Sequence, residues 1–235
     1  VAPVHVAFLV AVAAAAATML GWVLVAAKRT WTPRSVGIAL LLSAAAMLVI
    51  SAVELLPPGL LDPETRGRTV LLVALGLALV PVLGAGLTRM FPAMGAAHAA
   101  SVLVMLSIAL HNVPEGTVAF AATIVSLRAG LVTALAIALH NIPEGMAVST
   151  SVLAAGGSKR RALAYTAVSM LGEIAGAVTI LALGRSMSES AATGLLAVVG
   201  GIMISLSLTQ LIPTGVRLVR STGTSLPESA PASAH

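Results

Sequence analysis

Residues Ala99–Ala155 read AASVLVMLSIALHNVPEGTVAFAATIVSLRAGLVTALAIALHNIPEGMAVSTSVLAA. Arg128 divides this stretch into two apolar runs, Ala99–Leu127 and Ala129–Ala155, whose only charged side chains are Glu115 and Glu144. About twenty consecutive apolar residues cross a hydrocarbon core as a helix, so each run is long enough to span a bilayer. Arg128 and the residues around it are then the turn between two antiparallel spans.

The same rule gives spans over Val4–Ala27, Val36–Leu56, Thr69–Leu87, Ala162–Leu183 and Ala191–Val216. Val4–Ala27 is longer than a signal-peptide core and has no clear small-residue cleavage site before Lys28, so it reads as a span. The expected architecture is therefore all-α: a polytopic membrane helix bundle of about seven spans in residues 1–220. Residues 221–235, rich in Ser, Pro and Ala, read as a disordered polar tail.

Composition agrees with this reading. Of 235 residues 58% are hydrophobic and 9% charged, whereas a soluble domain carries about 25% charged residues. Disorder needs the opposite balance. The ten-residue alternation of an outer-membrane barrel is missing. With no Cys in the chain, disulfide frameworks, thiolate metal sites and Cys nucleophiles are excluded. The sequence pI is 11.1, but the thirteen Lys and Arg residues are spread over short loops and form no basic patch. Lipid is the expected surroundings and nucleic acid is not an expected partner. Lys28, Arg29, Arg34, Arg89, Lys159, Arg160, Arg161, Arg217 and Arg220 fall on one side, and Arg66, Arg68, Arg128 and Arg185 on the other. Positive residues stay cytoplasmic, which places the amino terminus outside and the Gly156–Arg161 loop inside.

Four of the eight acidic residues, Glu54, Glu115, Glu144 and Glu173, lie within or at the end of apolar segments, with no Lys or Arg beside them. A carboxylate at the bilayer centre costs roughly 3 kcal/mol or more, so each must be protonated, hydrated or neutralised by a cation. Without a basic partner, a bound cation is the most economical answer. The neighbours of two of them repeat. His111-Asn112-Val113-Pro114-Glu115-Gly116 and His140-Asn141-Ile142-Pro143-Glu144-Gly145 differ at one position. Residues three and four apart share a helix face, so each motif turns an imidazole, an amide oxygen and a carboxylate to one side. That mixed nitrogen and oxygen set suits Zn²⁺, Fe²⁺ and their divalent relatives. Pro114 and Pro143 lack the N–H that would bond the carbonyls of Leu110 and Leu139, which predicts bent helices at the site. Asn112 and Asn141 are either ligands or caps for those carbonyls. Glu115, Glu144 and Glu173 are spaced 29 residues apart. On antiparallel helices rising 1.5 Å per residue, this brings them to a similar depth, about 16 Å from the turns.

These residues resemble the ZIP (Zrt-, Irt-like protein) family of divalent metal transporters, most closely its bacterial branch. The paired HN-x-PEG elements carry the resemblance, supported by Glu54-Leu55-Leu56-Pro57, Gly172-Glu173 and Gly201-Ile202-Met203. It covers roughly residues 4–220. It implies a metal pathway between the second, fourth, fifth and seventh spans, with a binuclear centre at mid-depth. One metal would be held by His111, Glu115, His140 and Glu144. The second would be held by Asn112, Glu115, Asn141, Glu144 and Glu173, with Met47 as a further candidate thioether. The family usually has eight spans, where seven are read here. It also often places an acid before the seventh-span Leu-x-Pro, where this chain has Gln210-Leu211-Ile212-Pro213.

The expected function is import of Zn²⁺, with Fe²⁺, Mn²⁺, Co²⁺ and Cd²⁺ as further cargo, across the bacterial cytoplasmic membrane. No enzymatic activity and no cofactor beyond the transported ions are expected, and a homodimer is left open. Two alternatives stand beside this: an intramembrane metalloenzyme, and a truncated, non-transporting metal-binding partner. Glu54 reads equally as an interface residue or part of the pathway, and His5, His98 and His235 read as solvated.

Overall fold

The computed structural model describes residues 2–183 and 188–221. It is all-α: α1 (Val4–Ala27), α2 (Pro33–Ile50), α3 (Pro57–Leu60), α4 (Arg66–Met90), α5 (Ala96–Val125), α6 (Leu127–Ala154), α7 (Lys159–Leu183), α8 (Glu189–Leu206) and α9 (Ile212–Arg220). Among the described residues, seven helical segments are long and apolar enough to cross a membrane, and they coincide with the seven spans read from the sequence. Several begin earlier than hydropathy alone suggests, at Arg66 rather than Thr69 and at Lys159 rather than Ala162. Hydropathy marks the part in hydrocarbon, while the backbone hydrogen bonds continue into the interface. Large apolar side chains such as Leu9, Leu71, Leu135 and Leu139 are more than half exposed. A soluble domain rarely exposes contiguous apolar area on this scale, and in a multi-pass membrane protein it is the lipid-facing surface. The tail expected beyond Ser221, with His235 in it, and Arg185 of the charge count lie outside the described residues.

Local sequence explains the helix ends. Thr32 and Ser35 form a capping box at the start of α2, with Pro33 in the first turn. The α5–α6 connection is a single residue, Ser126, in extended conformation, whose hydroxyl accepts from the Ala129 amide. The turn therefore falls just before the Arg128–Gly130 region where the sequence placed it.

The prolines behave in two ways. α5 and α6 run without interruption through Pro114 and Pro143, and α4 does so through Pro81. The departures from α geometry lie elsewhere, in π-helical turns at Ser51–Leu55 and Ser207–Leu211 that continue α2 and α8. Both turns end on a proline after the same pattern, Ser51-x-x-Glu54-Leu55-Leu56-Pro57 and Ser207-x-x-Gln210-Leu211-Ile212-Pro213. A proline ring clashes with the carbonyl four residues back. The wider turn relieves that clash, and the Leu56 and Ile212 amides bond to the oxygens of Ser51 and Ser207, five residues back.

Packing sorts the helices into two groups. In one, α6 lies along α1, α7 lies along α5, and α5 and α6 form the central hairpin. In the other, α4 packs on α8 and α2 on α9. The groups meet chiefly where α2 crosses α6 and α8 crosses α5. Close approaches within the first group run through the motif glycines and through Gly176 of α7, which lies against the Val113 carbonyl. A Cβ on Gly116 would overlap the Glu173 carbonyl oxygen of α7, and one on Gly145 would overlap the Thr18 carbonyl oxygen of α1. Small residues let membrane helices approach this closely. At one end of the bundle Trp22 Nε1 donates to Lys159 O at 3.0 Å, and Lys159 Nζ donates to the carbonyls of Ala26 and Lys28. At the other end Arg68 donates to Ser190 O at 3.0 Å.

Overpacking a close helix contact costs about 1–3 kcal/mol. Gly116→Val is therefore expected to lower the thermal unfolding temperature of the detergent-solubilised protein. Gly86→Ala, at a position with open space around it, is expected to leave that temperature unchanged.

Candidate metal centre

The single-residue hairpin at Ser126 brings the two HN-x-PEG elements to one level, and it places His111, Asn112, Glu115, His140, Asn141 and Glu144 inside the bundle. Glu173 joins them from α7. All seven are at most 2% exposed.

The motifs pair across the hairpin. His111 Nε2 lies 2.9 Å from Glu144 Oε1, and His140 Nε2 lies 3.2 Å from Glu115 Oε1. Each histidine thus contacts the glutamate of the other motif, where helical spacing alone suggests its own. Ligand atoms of His111, Glu115 and Glu144 all lie within 4.8 Å of one another, close enough to share one ion. His140 is tied to this cluster through Glu115.

The asparagines do not cap the Leu110 and Leu139 carbonyls. Asn112 Nδ2 donates to Ser169 O of α7 at 2.9 Å. Asn141 Nδ2 donates to Ala14 O of α1 at 3.0 Å and to Glu173 Oε2 at 2.7 Å. A backbone carbonyl only accepts, so each amide must present its nitrogen there, and its oxygen is turned away from that carbonyl. Ala14 and Ser169 act through their main chains, so no sequence signal marks them. They are positioned by the glycine contacts of α1 and α7.

A ligand-poor core would be expected to satisfy its polar atoms internally. Here one acceptor-type atom on each of the seven side chains has no hydrogen-bond partner among the described residues: Nδ1 of His111 and His140, Oδ1 of Asn112 and Asn141, and one carboxylate oxygen of Glu115, Glu144 and Glu173. An imidazole that donates Nε2–H to a carboxylate keeps the Nδ1 lone pair for a metal. Among the described residues, the ion pairs at this depth are the two His–Glu contacts, with no Lys or Arg. Three carboxylates, two amide oxygens and two imidazoles form a hard-to-borderline donor set suited to a first-row dication.

The other sequence candidates sit around this centre. Met47 is fully buried in the core cluster that includes Ala147 and Val148, one turn from Glu144. Glu54 is exposed on the first π-helical turn, within electrostatic reach of His140. Gln210 occupies the matching place in the second turn. His98 packs against the Tyr165 ring.

The family described as ZIP Zinc transporter matches residues 91–223, the stretch that contains both motifs and Glu173. Similar proteins include the zinc transporter ZupT of Salmonella paratyphi A, 36% identical over 216 residues, covering 85% of this chain and 82% of the relative. The zinc transporter ZupT of Salmonella arizonae is 37% identical over the same shares.

Asn141→Leu removes the donor to both Ala14 O and Glu173. Losing such an orienting partner typically weakens metal affinity about 10–100-fold, and that drop is expected for Zn²⁺ in equilibrium dialysis of the purified protein.

Proposed function

Because the chain belongs to the ZIP family of zinc transporters, we propose that it carries Zn²⁺ into the cell across the bacterial cytoplasmic membrane. Fe²⁺, Mn²⁺, Co²⁺ and Cd²⁺ are further cargo. Residues 1–220 are the transport unit, with the amino terminus outside and the Lys159 end of the bundle in the cytoplasm. The metal is the substrate, held in transit at a binuclear centre. One ion sits on His111, Glu115, His140 and Glu144. The other sits on Asn112, Glu115, Asn141, Glu144 and Glu173, so that Glu115 and Glu144 bridge the pair as carboxylates do in two-metal sites.

The observation that carries this reading is the set of seven buried side chains that each retain an unpartnered acceptor atom. With neutral imidazoles the three carboxylates sum to three negative charges, more than one dication neutralises, which favours a second ion. The two helix groups supply a way to move it. All seven ligands belong to the group built from α1, α5, α6 and α7, and rocking of that group against α2, α4 and α8 opens the centre first to one side and then to the other. The metalloenzyme alternative is dropped, since the relatives are named as transporters and the chain has no H-E-x-x-H element.

Glu115→Ala and Glu144→Ala are each expected to abolish uptake of ⁶⁵Zn into proteoliposomes, with Glu54→Ala milder. Uptake at the wild-type rate in the double variant overturns the proposal. Uptake measured metal by metal in the same vesicles ranks the cargo.

A further inference from the structure

Between the carboxylate centre and the Arg217 end of the bundle lies a buried layer one helical turn thick. Beyond it is a cavity of about 400 Å³, lined among others by Leu40 of α2, Val104 of α5, Ser151 of α6, and Gln210, Leu211 and Arg217 of the last span. Helical register places the layer. On α5, Ser107 is three residues beyond Val104 and four short of His111. On α2, Ser43 is three beyond Leu40 and four short of Met47. On the last span, Ser207 opens the π-helical turn that follows α8, four residues beyond Met203 and four short of Leu211, which lines the cavity. Residues at these spacings share a helix face, so each serine stands on the line that joins the cavity to the depth of the centre. Fully buried apolar residues lie at the same level: Ala44, Ile108, Ala147, Val148 and Leu206, while Ser149 and Thr150 of α6 spend their hydroxyls on Thr166 and on the Met146 carbonyl.

The hydroxyls of Ser43, Ser107 and Ser207 are at most 2% exposed and have no hydrogen-bond partner among the described residues. A serine inside a helix ordinarily resolves this by bonding a carbonyl three or four residues back. The same chain does so on either side of the layer. Ser101 bonds His98 O at 2.8 Å, Ser151 bonds Val148 O at 2.7 Å, and Ser51 bonds Met47 O at 2.8 Å. The three serines between cavity and centre have declined a bond available on their own helices. Thr18, a further buried hydroxyl without a partner, belongs to α1, outside the helices that line the cavity.

We propose that Ser43, Ser107 and Ser207 form a second cation station, one that takes a divalent cation with part of its water shell on its way between the carboxylate centre and the cavity. This rests on the transport reading above. Neutral hydroxyl oxygens are hard ligands that hold a dication more weakly than carboxylates do. Weak binding is what a transit station needs, because conduction fails where an ion is held too tightly to leave. The three side chains also come from both helix groups, with Ser107 on one and Ser43 and Ser207 on the other. The station therefore sits at the seam, and it assembles or parts when the groups move.

Two experiments in proteoliposomes test this. The triple variant Ser43→Ala/Ser107→Ala/Ser207→Ala is expected to lower Zn²⁺ uptake about tenfold, because the ion then crosses this layer without the free hydroxyl oxygens. Its equilibrium Zn²⁺ affinity, which belongs to the carboxylate centre, is expected to stay at the wild-type value. Uptake at the wild-type rate overturns the station, and so does a parallel loss of affinity, which marks the serines as structural. The chain contains no Cys, so Ser43→Cys, Ser107→Cys and Ser207→Cys each introduce a unique thiol, a softer ligand that holds Cd²⁺. Each is expected to make Zn²⁺ uptake sensitive to Cd²⁺ at concentrations that leave the wild type unaffected. If the triple variant does not fold, indifference of all three thiol variants to Cd²⁺ overturns the station. Glu144→Ala, run alongside, separates the two proposals: retained Zn²⁺ binding and uptake there defeats the carboxylate centre, whatever the serine variants do.

Discussion

Three carboxylates buried inside the membrane helix bundle, with no lysine or arginine paired to them among the described residues, set the terms for everything around them. At roughly 3 kcal/mol each, Glu115, Glu144 and Glu173 together cost about as much as a whole domain is stable by. The hairpin offsets part of that internally. Each imidazole faces the carboxylate of the opposite motif, and the Asn141 amide reaches Glu173. A hydrogen bond to a charged group contributes about 1.5–3 kcal/mol, so these contacts hold the acids in place without exhausting their oxygens. The acceptor atoms left over form the donor set of the candidate metal centre.

The scaffold serves that capacity by bringing backbones close. Gly116 lets α7 lie against α5, and this contact positions both Glu173 and the Ser169 carbonyl that orients Asn112. Gly145 lets α1 lie against α6, and the Ala14 carbonyl then orients Asn141. The glycine that closes each motif is therefore part of the centre through the neighbour it admits. Meanwhile the prolines within the motifs leave their helices continuous, and the π-helical turns fall on α2 and α8, in the other helix group. The helices that carry the candidate centre are accordingly continuous, and the π-helical turns lie in the group they pack against.

Much of this was legible in the sequence, and the limits follow from what periodicity can encode. Span number and approximate bounds came from apolar run length, because a bilayer imposes one thickness on every crossing. Glu115, Glu144 and Glu173 came from charge placed where charge is costly, and the His and Asn candidates from the repeated HN-x-PEG element that carries the family resemblance. The cross-pairing of His111 with Glu144 and His140 with Glu115 did not, because spacing along one helix reports which residues share a face and says nothing of which neighbour they meet. The carbonyl partners of the asparagines were equally hidden, since a main-chain oxygen has no residue type. The π-helical turns were signalled only by a repeated Ser-x-x-(Glu/Gln)-Leu-(Leu/Ile)-Pro pattern that is recognised once both turns are seen.

By itself, then, the sequence determined an all-α membrane bundle and singled out the polar residues of the candidate metal centre, because hydropathy and the cost of buried charge are properties of residues in order along the chain. Tertiary structure alone decided which donor meets which acceptor, which helices travel together, and where three serines stand without partners. Those depend on distances between helices, and helix separations follow from side-chain volumes and glycine gaps acting across the whole bundle at once.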